Sequence, residues 1–243
     1  MCTVTFIPSG NKFFFTSSRD ELAKRATAAF PDLHQINGHR LLFPRDLQAG
    51  GTWIAVHECG KAAALLNGAI RAHQPEPSYR KSRGLILLDL IAHSSPLESF
   101  GECDLTRIEP FTVILSVDEK LFCGTWDGME KKMEPLNRHI PHIWSSVTLY
   151  DPVIIKKREG WFKKWIAENP DPSAGDIIRF HEQGGDGDPV NDLLMNRDGN
   201  LFTNSISSIR ISPDTAAFRY MDLRYGTTAD RFLPFQKTIT VKI

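Results

Sequence analysis

Three pairs of short strand-like runs, each closed by a tight polar turn, constrain this 243-residue chain more than any other feature. The first pair covers residues 2–7 and Lys12 to Ser17, around the turn signal Pro8-Ser9-Gly10-Asn11. The second runs from Thr52 to Val56, turns at Glu58-Cys59-Gly60-Lys61 and returns over Ala62 to Gly68. The third joins Phe111 to Val117 with Leu121 to Trp126 through Asp118-Glu119-Lys120. β-branched and aromatic runs broken by such turns are hairpins, and hairpins build antiparallel sheets.

Between and after the hairpins the apolar spacing becomes helical. Tyr79 to His93 carries Ile86, Leu87, Leu88, Leu90 and Ile91, too apolar for a surface helix, so it is expected to pack on a sheet. Lys156 to Ile166 predicts an amphipathic helix with Trp161, Phe162 and Trp165 on its buried side. Ser18 to about Pro31 predicts a polar, partly helical segment, and Gly184 to Pro189 a loop. Strands return at Ser205 to Ile211, Ala217 to Leu223 and Thr238 to Ile243. Hairpins on both sides of helices predict an α+β fold and suggest a helix–sheet–sheet–helix sandwich, which propensity alone does not choose over other α+β layouts; the length suits one large domain or two small ones, and a single domain over 1–243 is expected.

Composition narrows the function classes. Lys+Arg 29 balances Asp+Glu 29 and the charges are interspersed, which argues against a nucleic-acid partner. No run reaches the roughly 18 apolar residues of a membrane span, and Met1-Cys2-Thr3-Val4 does not begin a signal peptide. Cys2, Cys59, Cys103 and Cys123 are too scattered for a paired metal or redox motif. A soluble, cytoplasmic protein without disulfides is expected.

Candidate chemistry concentrates near the start. Removal of Met1 would leave Cys2 with a thiol and its own α-amine, a base with a reference pKa of about 7.7–8.0. Such a residue is a compact nucleophile that needs an oxyanion hole and an orienting polar group; otherwise Cys2 simply opens a strand. The first hairpin brings residue 2 near residues 17–20, and so near the charged run Ser18-Arg19-Asp20-Glu21; a guanidinium there would favour thiolate. If that run is extended, Arg19 and Glu21 share one face and Asp20 points away. Gly50-Gly51-Thr52-Trp53 is either a turn into a strand or a close backbone approach. Asn67 is either a turn former or an amide facing a cleft. His139 and His142 are separated by Pro141, His57-Glu58 lacks a second histidine at zinc-protease spacing, and Asp186-Gly187-Asp188 breaks the calcium-loop pattern, so no metal site is expected.

Met1-Cys2-Thr3, Ser18-Arg19-Asp20-Glu21, Gly50-Gly51-Thr52-Trp53, Leu66-Asn67-Gly68 and Ser82-Arg83-Gly84, in that order, resemble the NRDE family, also called the transport and Golgi organisation protein 2 family. That family is similar in organisation to N-terminal-nucleophile hydrolases, whose fold is a four-layer αββα sandwich. The resemblance implies that Cys2 is the nucleophile, Arg19 its activating neighbour, Asp20 the holder of the α-amine and Asn67 an oxyanion-hole donor. Glu21, Thr52, Trp53 and Ser146 are then expected on the substrate side. Ser146 stands where most relatives carry an Asn, and a hydroxyl donates one hydrogen bond at shorter reach than an amide. The implied reaction is hydrolysis of a small amide or acyl substrate, with no cofactor. The alternative implied by the same resemblance is a non-catalytic carrier whose cleft takes a hydrophobic ligand such as haem or an acyl thioester. Partner subunits and oligomeric state are not written in the sequence.

Overall fold

β1 (Thr3–Ser9) and β2 (Lys12–Leu22) form the first hairpin, with Thr3 opposite Ser18 and Gly10 taking the left-handed turn at φ +58°. The structure, a computed structural model, describes residues 3–236. Cys2 and the strand expected over Thr238 to Ile243 therefore lie outside the described residues. The chain continues through β3 (Ala29–Ile36), β4 (His39–Arg45), β5 (Ile54–His57) and β6 (Ala62–Asn67) to the helices α1 (Arg83–Ala92) and α2 (Pro96–Glu102). Next come β7 (Phe111–Val117), β8 (Lys120–Trp126), β9 (Lys131–Leu136) and β10 (His142–Ser145), then α3 (Pro152–Glu168) and α4 (Ala174–Gln183). It closes with β11 (Asn196–Arg197), β12 (Leu201–Ile211), β13 (Thr215–Asp222) and β14 (Thr227–Pro234).

These strands form two antiparallel sheets. One runs β10-β1-β2-β12-β13-β14, with β11 added beside β12; the other runs β3 to β9 in sequence order. Alternation along each strand decides the layers. Val4, Phe6, Phe13 and Phe15 belong to the large core that also holds Leu41, Phe43 and Val56 of the second sheet. Ile7 and Phe14 point the other way and pack with Phe162 of α3 and Ile177 and Phe180 of α4. Ile86, Leu87 and Ile91 of α1 cover the outer face of the second sheet. The order is helices, sheet, sheet, helices, the four-layer α+β sandwich the sequence predicts. Among the described residues no helix is long and apolar enough to cross a membrane.

Three expectations are corrected. The segment from Ser18 to Pro31 is not helical: β1 pairs with β2 as far as Ser18, and β12 runs beside it through Leu22, so the β12 ladder pairs a polar backbone run that would otherwise be solvated. Beyond it lies the β3–β4 hairpin, turned at Asn37 (φ 51°) and Gly38 (φ 83°), an Asn-Gly pair in the double positive-φ conformation two-residue hairpins favour. Pro31 falls at the irregularity between Ala29 and Asp32 on this edge strand, where a missing N–H is tolerated. The first helix begins at Arg83 rather than Tyr79, because the Ser82 hydroxyl caps it by accepting from the Leu85 N–H at 3.3 Å. On α3, Phe162 is buried as expected and half-buried Trp165 packs against the same cluster, stacking on Phe180, whereas Trp161 does not join that cluster.

Candidate active site

The site is assembled where the loop from β4 to β5 meets the N-terminus of α1. Gly51 touches the α1 backbone so closely that a Cβ there would sit 2.4 Å from the Gly84 carbonyl carbon, and a Cβ on Gly84 would sit 2.6 Å from the Thr52 oxygen. The two glycines of the Gly50-Gly51 and Ser82-Arg83-Gly84 motifs are thus a single contact. That contact closes the loop into a tight turn, with the Asp46 N–H donating to the Gly51 oxygen at 2.9 Å and the Gly50 N–H to the Asp46 oxygen at 2.8 Å. The Asp46 carboxylate is fixed within it, accepting from the Gln48 and Ala49 N–H groups at 3.0 and 2.8 Å.

The other Asp46 oxygen receives Arg19. The guanidinium Nη2 donates to Asp46 Oδ2 at 2.7 Å, Nη1 reaches Asn204 Oδ1 at 3.4 Å, and the group lies 4.8 Å from the centre of the Trp53 ring. Arg25 bonds the same Asp46 oxygen at 3.1 Å, and Glu21 stands 3.6 Å from Arg19. Burial opposes ionisation of Asp46, but the Ala49 N–H and the Arg25 and Arg19 guanidiniums outweigh it and hold the carboxyl below the usual carboxylate range. Arg19 itself is 2% exposed. A buried guanidinium held on a fixed carboxylate and a ring face cannot swing, so its charge is aimed rather than diffuse.

Arg19, Glu21, Thr52, Trp53 and Asn67 line one cavity of about 400 Å³ between the two sheets. Its walls carry the cations Arg19, Arg25, Lys81 and Arg83 and the carboxylates Glu21, Asp46 and Glu109. Arg83 pairs with Glu109 at 2.9 Å, and burial draws its pKa down against that partner. Asn67 closes β6, on the sheet opposite Arg19, and among the described residues nothing bonds its side-chain amide. The Thr52 hydroxyl is committed to the Pro44 and Ile54 oxygens at 2.7 and 3.0 Å, and the Trp53 ring serves as the floor under Arg19.

Two expected residues do not line the cavity. Asp20 projects from the opposite face of β2, as an extended segment requires, and accepts from the Tyr150 hydroxyl at 2.8 Å and the Thr203 hydroxyl at 2.6 Å. Ser146 does not line the cavity: its hydroxyl bonds the Asn67 carbonyl oxygen at 2.8 Å, and a Cβ on the neighbouring Gly68 would lie 2.6 Å from the Val147 side chain. Ser146 therefore braces Asn67 from behind instead of facing substrate. Cys2 is outside the described residues, one peptide bond before Thr3. Sequence reasoning missed Asp46 and Arg25, and it gave Arg83 no role of its own within the Ser82-Arg83-Gly84 motif; only the glycine pair following Asp46 hinted at a shaped loop there.

Away from the cavity, His39, His57 and Glu58 bring ligand atoms within 4.8 Å of one another. Arg40 holds Glu58 through its side chain at 2.8 Å and its N–H at 3.1 Å, and His57 Nδ1 accepts from the Cys59 N–H at 3.0 Å, while His57 Nε2 has no hydrogen-bond partner among the described residues. Burial, with Lys61 and His39 adding to it, pushes the His57 pKa down to about 4.

The architecture has counterparts among solved structures. Two variants of conjugated bile acid hydrolase from Clostridium perfringens superpose with TM-scores of 0.60 and 0.59, each at 12% identity, over 100% of this chain and 99% of theirs. The Caenorhabditis elegans N-acylethanolamine-hydrolyzing acid amidase orthologue is similar at a TM-score of 0.56 and 10% identity, over 86% of this chain and 92% of that one. The fold is that of the N-terminal-nucleophile hydrolases. Residues 1–242 match the family model described as Transport and Golgi organisation 2, and the chain belongs to that family. No curated protein matches it in sequence.

Proposed function

We propose that this protein is a cysteine N-terminal-nucleophile hydrolase of small, polar amide or acyl substrates. One observation carries the reading: a buried, immobilised Arg19 and an unbonded Asn67 amide enter the same cavity from opposite sheets. In the proposed reaction Met1 is removed and the α-amine of Cys2, held by Asp20, takes the thiol proton. The thiolate attacks the substrate carbonyl carbon, and the Asn67 amide donates to the developing oxyanion. Collapse expels the amine, which takes the proton back, and water then hydrolyses the acyl thioester to the free acid and the thiol. Arg19 favours the thiolate form. The reading requires the sulfur of Cys2 to face between the sheets, as Val4 and Phe6 of the same strand do.

The charged walls favour a polar substrate over an apolar cargo. An apolar cargo in this cavity would strip water from its seven charged side chains without replacing it, a cost that apolar contact does not offset. The free thiols Cys59, Cys103 and Cys123 support a reducing compartment such as the cytoplasm. The test is the intact mass of untagged protein, followed by release of amine from a panel of small polar amides by the native chain and by Cys2→Ala. Loss of Met1 and activity that disappears in the variant are expected. Retained Met1, or a Cys2→Ala protein as active as the native one, refutes the proposal.

A further inference from the structure

Behind β1, on the face away from the cavity, α3 places a guanidinium that the proposed reaction does not use. Arg158 is fully buried. Its Nη1 donates to the Thr3 hydroxyl at 2.6 Å, its Nε to the Asn191 oxygen at 3.0 Å and its Nη2 to the Asp192 oxygen at 2.6 Å. The Tyr150 ring lies 3.5 Å from its central carbon, and that ring's hydroxyl runs on to Asp20. No carboxylate of the described residues forms an ion pair with Arg158. Burying a cation without a counter-charge costs several kcal/mol, so a purely structural brace here would be better made from a neutral donor.

The groups around it give the charge no other use. On α4, His181 is bonded to the hydroxyls of Thr5 at 2.9 Å and Ser18 at 2.8 Å. Burial, with Arg158 adding to it, pushes the His181 pKa down to about 3, so it is neutral near pH 7. Arg197 lies 5.4 Å from the Tyr150 ring, and Arg19 occupies the opposite face of β2. Asp20 of β2 accepts from the hydroxyl of Tyr150, the ring that Arg158 packs against. What Arg158 grips directly is the first described residue of β1, covalently joined to Cys2.

We propose that Arg158 is a positioning residue: by clamping Thr3 it fixes where the Cys2 thiol stands, and its unpaired charge helps keep that thiol ionised. The inference rests on Cys2 being the nucleophile. It assigns to α3 a part in the site that none of the sequence motifs contains.

The test is the pH profile of iodoacetamide alkylation at Cys2, read by peptide mass spectrometry in the full chain. Exposed Cys59 serves as an internal reference. Arg158→Met is expected to move the Cys2 profile upward and slow labelling at pH 7 roughly tenfold, the consequence of a shift of one pH unit. Arg158→Lys keeps the charge and is expected to fall between the two. Thr3→Val removes only the clamped hydroxyl and is expected to shift the profile in the same direction by a smaller amount. Thr3→Val also decides the matter if Arg158→Met does not fold. A folded Arg158→Met or Thr3→Val protein whose profile overlays the native one overturns the inference and leaves the proposed reaction standing. A native Cys2 that reacts no faster than Cys59 overturns both.

Discussion

Asp46→Asn isolates the electrostatic term that holds the site together. The substitution keeps the shape of the side chain and one carbonyl oxygen, so the turn bonds from Gln48 and Ala49 survive. It removes the negative charge facing Arg19 at 2.7 Å and Arg25 at 3.0 Å. Breaking a buried pair by neutralising one partner costs about 3–5 kcal/mol. The amide nitrogen that replaces Oδ2 cannot accept from either guanidinium; Arg25 is partly exposed and contributes little, and Glu21, 3.6 Å from Arg19, keeps part of the counter-charge, so about 2–3 kcal/mol is expected. For a chain of this size each kcal/mol moves Tm by roughly 2–4 °C, giving a loss of roughly 4–12 °C. The pH dependence fixes the sign. The folded pKa of Asp46 is depressed, so its contribution is complete above the unfolded carboxylate pKa and disappears as pH falls through the depressed value. Urea unfolding at pH 7 is therefore expected to separate the two proteins, and the gap is expected to narrow in acid below the carboxylate range. Equal midpoints at pH 7, or a gap that does not narrow in acid, would show that Arg19 is not held by the Asp46 charge.

Other features make sharp predictions as well. Gly51→Ala drives a methyl into the α1 backbone, and a loss of at least about 1–3 kcal/mol in chemical denaturation is expected; a neutral result would mean the loop can withdraw from the helix freely. Tyr150→Phe deletes the hydroxyl that Asp20 accepts, with an expected loss of about 1.5–3 kcal/mol read from the urea midpoint. His181 is neutral when folded down to about pH 3 but protonates in the unfolded chain near pH 6.5. Native stability should therefore fall by up to about 1.4 kcal/mol per pH unit across that window from this group alone, and His181→Gln should show a shallower fall in urea titrations at stepped pH. The Cys123 thiol is pushed up to about 11 by burial and Glu134, so peptide mapping after brief labelling at pH 7 should find Cys59 modified and Cys123 spared.

The fold was most legible where turn chemistry and strand pattern agree within a few residues. The hairpins β1–β2, β5–β6 and β7–β8 have local turns and apolar runs, and they appear where the pattern puts them. The missing strands are of another kind. β3 alternates exposed and half-buried positions, and β9 and β14 are mostly exposed at sheet edges, so no apolar run marks them. For β3–β4 the local signals were the Asn37-Gly38 pair and the buried run Leu41-Leu42-Phe43 of β4, and the reading of the sequence passed over both. The charged end of β2 was misread for the opposite reason. Its residues favour a solvated loop, and the ladder that makes them a strand comes from β12, some 180 residues away in sequence. Local propensity carries no information about such a partner.

The site divides along the same line, and the division says what the motifs encode. Within β2, strand periodicity is sufficient to put Arg19 and Glu21 on the cavity face and Asp20 on the other. Gly51 and Gly84 read separately as two turns, yet each is a glycine because the other is present, since a Cβ on either would enter the other's backbone. Their contact shapes the loop that fixes Asp46, and Asp46 in turn immobilises Arg19, so a motif with no chemical group of its own controls the orientation of the one charged group the nucleophile would need. Ser146 extends the argument. A hydroxyl that bonds the Asn67 carbonyl oxygen can orient the amide donor without replacing it. Hydrolysis with Ser146 at this position would accordingly depend on Asn67 for the oxyanion, and Asn67→Ala is expected to cost about 10²–10³ in the rate of amine release, whereas Ser146→Ala costs far less. If Ser146→Ala proved the more damaging of the two while remaining folded, the oxyanion would have to be placed at Ser146, on the far side of Asn67 from the cavity.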